Sequence, residues 1–137
     1  MPEVARLSPG AAIWIGGADL PEVSSLAGLR LRLVEDQDRI RQFQILHTPG
    51  HTPGHLSLLQ EDSSVLLLGD LAAMMNDQLV RAPAVSTADP ALCERSLRRA
   101  ADLAPRRILP SHGPELPTPP ARVLIDLLDP LPTTAQD

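Results

Sequence analysis

His47-Thr48-Pro49-Gly50-His51-Thr52-Pro53-Gly54-His55 is the stretch on which the fold is read. Proline lacks an amide hydrogen and glycine resists ordering, so these nine residues form neither a regular helix nor a strand. They form a loop, and the loop carries three of the four histidines of the chain. Sequence that reads as strands flanks it on both sides. Residues 39–46 read as a strand that pairs with a half-buried strand over residues 29–34, where leucine alternates with arginine. Asp36-Gln37-Asp38 lies between them as a turn. After the loop, residues 56–60 and 65–68 read as a hairpin of a buried sheet around the polar turn 61–64.

Farther out the same rules apply. Residues 2–8 suggest a helical turn ended by Pro9-Gly10, and Ala11–Ile15 suggests a buried strand. Asp19 reads as the cap of a short helix with Pro21 in its first turn. Residues 76–86 look irregular. Thr87-Ala88-Asp89-Pro90 is a helix start, and residues 91–103 follow as an amphipathic helix with Leu92, Ala100 and Leu103 on its apolar side. A strand is expected over 106–109, a loop at Ser111-His112-Gly113-Pro114, a helix over 121–128 and a frayed tail over 130–137. No internal repeat or linker divides the chain, so residues 1–137 are read as a single domain of the α/β (α+β) class.

Composition narrows the function. The 137 residues are 43% apolar and 21% charged, an ordinary globular balance, and carry a net charge of -5. Nucleic-acid binding needs a basic face, and acids surround the short clusters Arg98-Arg99 and Arg106-Arg107, so a nucleic-acid partner is not expected. One cysteine, Cys93, excludes an intrachain disulfide and a cysteine-rich zinc cluster, and it reads as a small core residue. No apolar run reaches membrane-spanning length, and no signal peptide is evident. The expectation is a soluble cytoplasmic protein with no membrane partner.

Three polar side chains share one placement. His51 follows the strand ending at Leu46, Asp70 follows the strand at 65–68, and His112 follows the strand ending at Leu109. If those strands run the same way, the three gather at one sheet edge, where ligand sites of α/β proteins form. Imidazole and carboxylate together suit zinc or another divalent metal. Singly, each reads as readily as a loop residue or a cap.

In combination, Thr48-Pro49-Gly50-His51-Thr52-Pro53-Gly54-His55, Leu68-Gly69-Asp70 and Ser111-His112-Gly113 resemble the later motifs of the metallo-β-lactamase superfamily, in that family's order, and with a flavour similar to its glyoxalase-II-like and YflN-like hydrolases. The resemblance implies a partial αββα sandwich, a mixed sheet with flanking helices. It implies a two-metal zinc centre and hydrolysis of a small-molecule ester, thioester or lactam. His51 would be a ligand of the first metal and His112 of the second. Asp70 would bridge the two metals and be the candidate catalytic residue. His55 would support the site by a hydrogen bond, and His47 would be structural.

The family's opening motif, His-x-His-x-Asp-His, does not occur in these 137 residues. The expectation is therefore a C-terminal half whose first motif would fall just before Met1. Such a half would hold metal weakly and be weak or inactive alone. Its exposed sheet face would be covered by a second copy, as a homodimer, or by a complementing N-terminal segment. The alternative is a non-catalytic remnant or interaction module that dimerises through that sheet.

Overall fold

The computed structural model describes residues 7, 8, 10–23 and 30–129. The expected tail over 130–137 and most of the expected turn over 2–8 lie outside the described residues. Nine strands and three helices follow one another in that range: β1 (Ile13–Gly16), α1 (Leu20–Val23), β2 (Leu31–Val34), β3 (Arg39–Ile40), β4 (Phe43–His47), β5 (Leu56–Gln60), β6 (Val65–Gly69), β7 (Ala72–Met75), β8 (Gln78–Arg81), α2 (Pro90–Asp102), β9 (Arg107–Pro110) and α3 (Pro120–Leu128). The principal sheet has the order β3-β4-β5-β6-β9, antiparallel except for the parallel pair β6-β9. This is the mixed α/β architecture expected of the chain.

Strand alternation gives the sheet two unlike faces. The register row Leu59, Leu66 and Ile108 lies on one face. Leu66 and Ile108 there have no exposed surface, because α2 and α3 cover them. The core continues through Leu46, Leu68, Leu71, Leu97 and Leu124. The other face carries the row Ile45, Leu58, Leu67 and Leu109. Ile45 is buried, whereas Leu58, Leu67 and Leu109 are only partly so.

Helix α2 begins where expected. The Asp89 carboxylate accepts from the Leu92 amide at 2.8 Å, satisfying one of the amides a helix start leaves free. Its inner face differs from the expected one. Cys93, Ser96, Leu97, Ala100 and Ala101 are buried, and Leu103 is 39% exposed. The spacing of three and four from Cys93 is the true helical stripe.

Three pairings also depart from expectation. The strand at 29–34 was expected to pair with 39–46, but β2 runs parallel to β1 instead. The turn Asp36-Gln37-Asp38 does not close a hairpin between them. Its carboxylates are spent on backbone amides, Asp38 on Glu35 and Asp36 on His47, each at 2.8 Å. Residues 39–46 are not one strand, because Arg41 takes a left-handed φ of 56° and folds them into the hairpin β3-β4. Residues 76–86 are not irregular throughout. Asn76 and Asp77 have φ of 50° and 61°, as a two-residue hairpin turn requires, and they join β7 to β8. Finally, Trp14 in β1 is 41% exposed, so that strand is not buried on both sides.

Candidate functional site

Strands β4, β6 and β9 run in the same direction, since β4 and β6 each oppose β5 and β9 is parallel to β6. Their C-terminal ends deliver His51, Asp70 and His112 to one cleft of about 270 Å³. Its remaining lining is Ala72, Ala73, Ala82, Pro83 and Ser86.

The His51 loop is tied down on every side. Its start is held by Arg99, which donates to the His47 carbonyl at 2.8 Å and pairs with Asp36 at 2.9 Å. Ser96 of α2 donates to the Pro49 carbonyl at 2.6 Å. The amides of Ala88 and Asp89, just before α2, donate to the carbonyls of His51 and Gly50 at 3.1 and 2.9 Å. Gly50 is obligatory: its φ is 140°, and a Cβ there would stand 2.3 Å from the Cα of Cys93. His47 donates from Nε2 to the Pro53 carbonyl at 2.9 Å and takes no place in the cleft, in keeping with a structural role.

Asp19 completes this clamp. It was expected to cap its own short helix. Instead its carboxylate accepts from the Thr52 hydroxyl and the Gly54 amide, each at 2.6 Å. Thus the segment after β1 grips the loop between His51 and His55. Sequence reading missed this role, because nothing local distinguishes a capping aspartate from one that reaches 33 residues along the chain.

His55 is buried and serves Asp70. Its Nε2 accepts from the Asp70 amide at 2.9 Å. Its Nδ1 therefore carries the hydrogen and donates to the Thr48 carbonyl at 3.0 Å. Burial pushes its pKa below the ordinary imidazole value, although the Thr48 bond and the charge of Asp70 oppose that shift. Gly69 makes this contact possible. Its φ is 71°, and a Cβ there would lie 2.4 Å from His55 Nε2.

His112 is anchored by its backbone, its carbonyl accepting from the Met74 amide at 3.0 Å. Its ring stands exposed, with Nε2 3.3 Å from Asp70 Oδ1. That separation is a close contact without hydrogen-bond alignment. Asp70 Oδ1 consequently stays buried with no hydrogen-bond partner, as does His51 Nδ1. Leaving such atoms unmatched costs about 1–3 kcal/mol each.

Two imidazoles and a carboxylate fit a divalent metal by type, and the two unmatched atoms are the kind that a cation satisfies. By number they fall short. Among the described residues, no three His, Cys, Asp or Glu side chains already converge as a metal cage. No described helix is long and apolar enough to cross a membrane.

Residues 7–112 match the family model of the metallo-beta-lactamase superfamily. Over 77 residues the chain is 38% identical to a protein of Bacillus subtilis (strain 168) named "Probable metallo-hydrolase YflN", covering 48% of this chain and 29% of that protein. Among solved structures, TTHA1623 in a di-iron-bound form superposes with a TM-score of 0.64 at 27% identity, covering 82% of this chain and 62% of that one. The archaeal metallo-beta-lactamase superfamily protein ST1585 from Sulfolobus tokodaii superposes at 0.72 with 18% identity, covering 93% and 60%. The chain thus spans less than two thirds of the length of each of these relatives.

Proposed function

The chain belongs to the metallo-beta-lactamase superfamily, and on that premise we propose that it carries one side of the centre of a metal-dependent hydrolase. His51, Asp70 and His112 would be the ligands, with His55 holding Asp70 in place. The observation that carries this reading is the meeting of three donors in one cleft from three co-directional strand ends, with His51 Nδ1 and Asp70 Oδ1 buried and unmatched.

A divalent metal held there supplies an activated water and polarises the scissile bond of an ester, thioester or lactam. The protein's own contribution is positional and electrostatic. Neutral His55 fixes the Asp70 backbone, so the carboxylate enters the cleft at one angle. Asp70, the carboxylate that would be shared between the two metals, is the candidate catalytic group, and His112 Nε2 stands 3.3 Å from its Oδ1. Ala72, Ala73, Ala82 and Pro83 present small, apolar walls that exclude water around a modest substrate.

Zinc is the metal we propose. Iron is the second reading, favoured by the di-iron form of TTHA1623 and admitted by a donor set without thiolate. With His51 and His112 on different metals, each metal would keep one imidazole and a share of Asp70. Two protein ligands make a weak site. The 137-residue chain alone is thus expected to retain metal poorly and hydrolyse little.

The remaining ligands would come from outside these residues. A complementing N-terminal segment would supply them; a second copy docking on the partly buried row Leu58, Leu67 and Leu109 is the partner we propose for the sheet face. That same face favours the alternative of a non-catalytic interaction module. Metal analysis after purification and dialysis separates the readings. Substoichiometric metal that rises on zinc addition, with thioesterase or lactonase activity following it, supports the hydrolase. Zinc-independent behaviour throughout, with no activity at saturating zinc, supports the module.

A further inference from the structure

Between β1-β2 and the β3-β4 hairpin lies an open groove of about 700 Å³. It is lined by Trp14, Arg30, Arg32, Arg39 and Arg41 together with small and apolar residues, and shares none of them with the histidine cleft. No acid is among its described lining, although the chain as a whole carries -5. Elsewhere five of the seven described arginines find carboxylates: Arg81 with Glu94, Arg98 with Asp129, Arg99 with Asp36, Arg107 with Glu115 and Arg122 with Asp126. In the groove only Arg39 does, with Glu61. Among the described residues Arg30 has only a backbone carbonyl as partner, that of Gly10 at 3.4 Å. Arg32 lies over the Trp14 ring at 5.3 Å from its centroid. Arg41 sits at the left-handed turn position of the hairpin, with no ion pair among the described residues.

We propose that this groove binds a polyvalent oxyanion, a di- or triphosphate group carried by a small molecule. Guanidinium groups recognise phosphate through paired N–H donors, and they do so best when no carboxylate competes. A single carboxylate would leave most of this positive charge unmatched, and the groove is wider than one phosphate ion. The Trp14 face is already covered by Arg32, so recognition falls on charge rather than on a stacked base. The inference is independent of the metal-centre reading.

Trp14 is the single tryptophan and the chain has no tyrosine, so its emission reports this groove alone. Tripolyphosphate titrated into the metal-free chain, followed by that emission and by calorimetry, should give saturable binding that weakens with added salt. Arg41→Ser should weaken it about tenfold, the scale of one charge-assisted contact, and orthophosphate should bind about tenfold less tightly than tripolyphosphate. Arg106→Ser, outside the groove, should leave it within about twofold. Circular dichroism of each variant checks that losses do not reflect misfolding. Absence of saturable signal and heat overturns the proposal. So do equal losses in Arg41→Ser and Arg106→Ser, or tighter binding of an oligonucleotide of matched charge than of tripolyphosphate.

Discussion

His55 engages both ring nitrogens, one accepting from the Asp70 amide and one donating to Thr48. Replacing it with alanine strands an amide and a carbonyl in the interior. We expect His55→Ala to lose about 1–3 kcal/mol in urea unfolding. Its titration carries a signed prediction. Burial lowers the folded pKa beneath the 6.5 of a free imidazole, so protons bind the unfolded chain more readily. Stability from this residue is whole above pH 6.5 and is lost as pH falls below that value toward the folded pKa. Thermal melts of the metal-free chain should show that acid-side decline, and His55→Gln should flatten it. Asp19 is the second test at this scale. Asp19→Ala should destabilise by about 1–3 kcal/mol and speed hydrogen exchange at the Gly54 amide. Unchanged exchange at Gly54 would mean that the carboxylate does not hold the loop.

Each ligand motif is a strand end, a loop and a constrained glycine working together, and that is why the elements around the site were legible. Two prolines and two glycines ruled out regular structure from 48 to 54, and two short apolar stretches around the polar turn 61–64 marked β5 and β6 as a hairpin. Where side chains are spent on distant backbone, sequence reading failed. Asp36 and Asp38 resemble hairpin-turn residues, yet they bond His47 and Glu35, and β2 goes to β1. Asp19 resembles a cap for the same reason, because a carboxylate's partner cannot be read from its neighbours. The β7-β8 hairpin was missed because Asn76-Asp77 supplies the left-handed turn without a glycine. Gly50 gives the element-scale prediction. Gly50→Ala forces a Cβ against the backbone of Cys93 at a φ that L residues avoid, and should cost more than about 3 kcal/mol in the same urea assay. A cost under about 1 kcal/mol would mean that α2 and the His51 loop can separate freely.

Among the described residues, the principal five-stranded sheet is covered by helices on one face, and its second face is less completely buried. Leu66 and Ile108 have no exposed surface under the helices, while Leu58, Leu67 and Leu109 opposite them retain some. Burying that row against a second copy would recover about 25 cal/mol for each Å² of apolar surface removed from water. Light scattering should therefore report a dimer, and Leu67→Asp should return it to monomer with the helix signal intact; a wild-type monomer at high concentration would remove the homodimer from the account. The chemistry depends on a different meeting, that of His51, Asp70 and His112 in one cleft. Calorimetric titration of zinc into the metal-free chain and into His51→Ala, Asp70→Ala and His112→Ala tests it most directly. The account predicts weak, saturable binding that each substitution lowers by about tenfold or more. Equal affinity in the wild type and all three variants would contradict it.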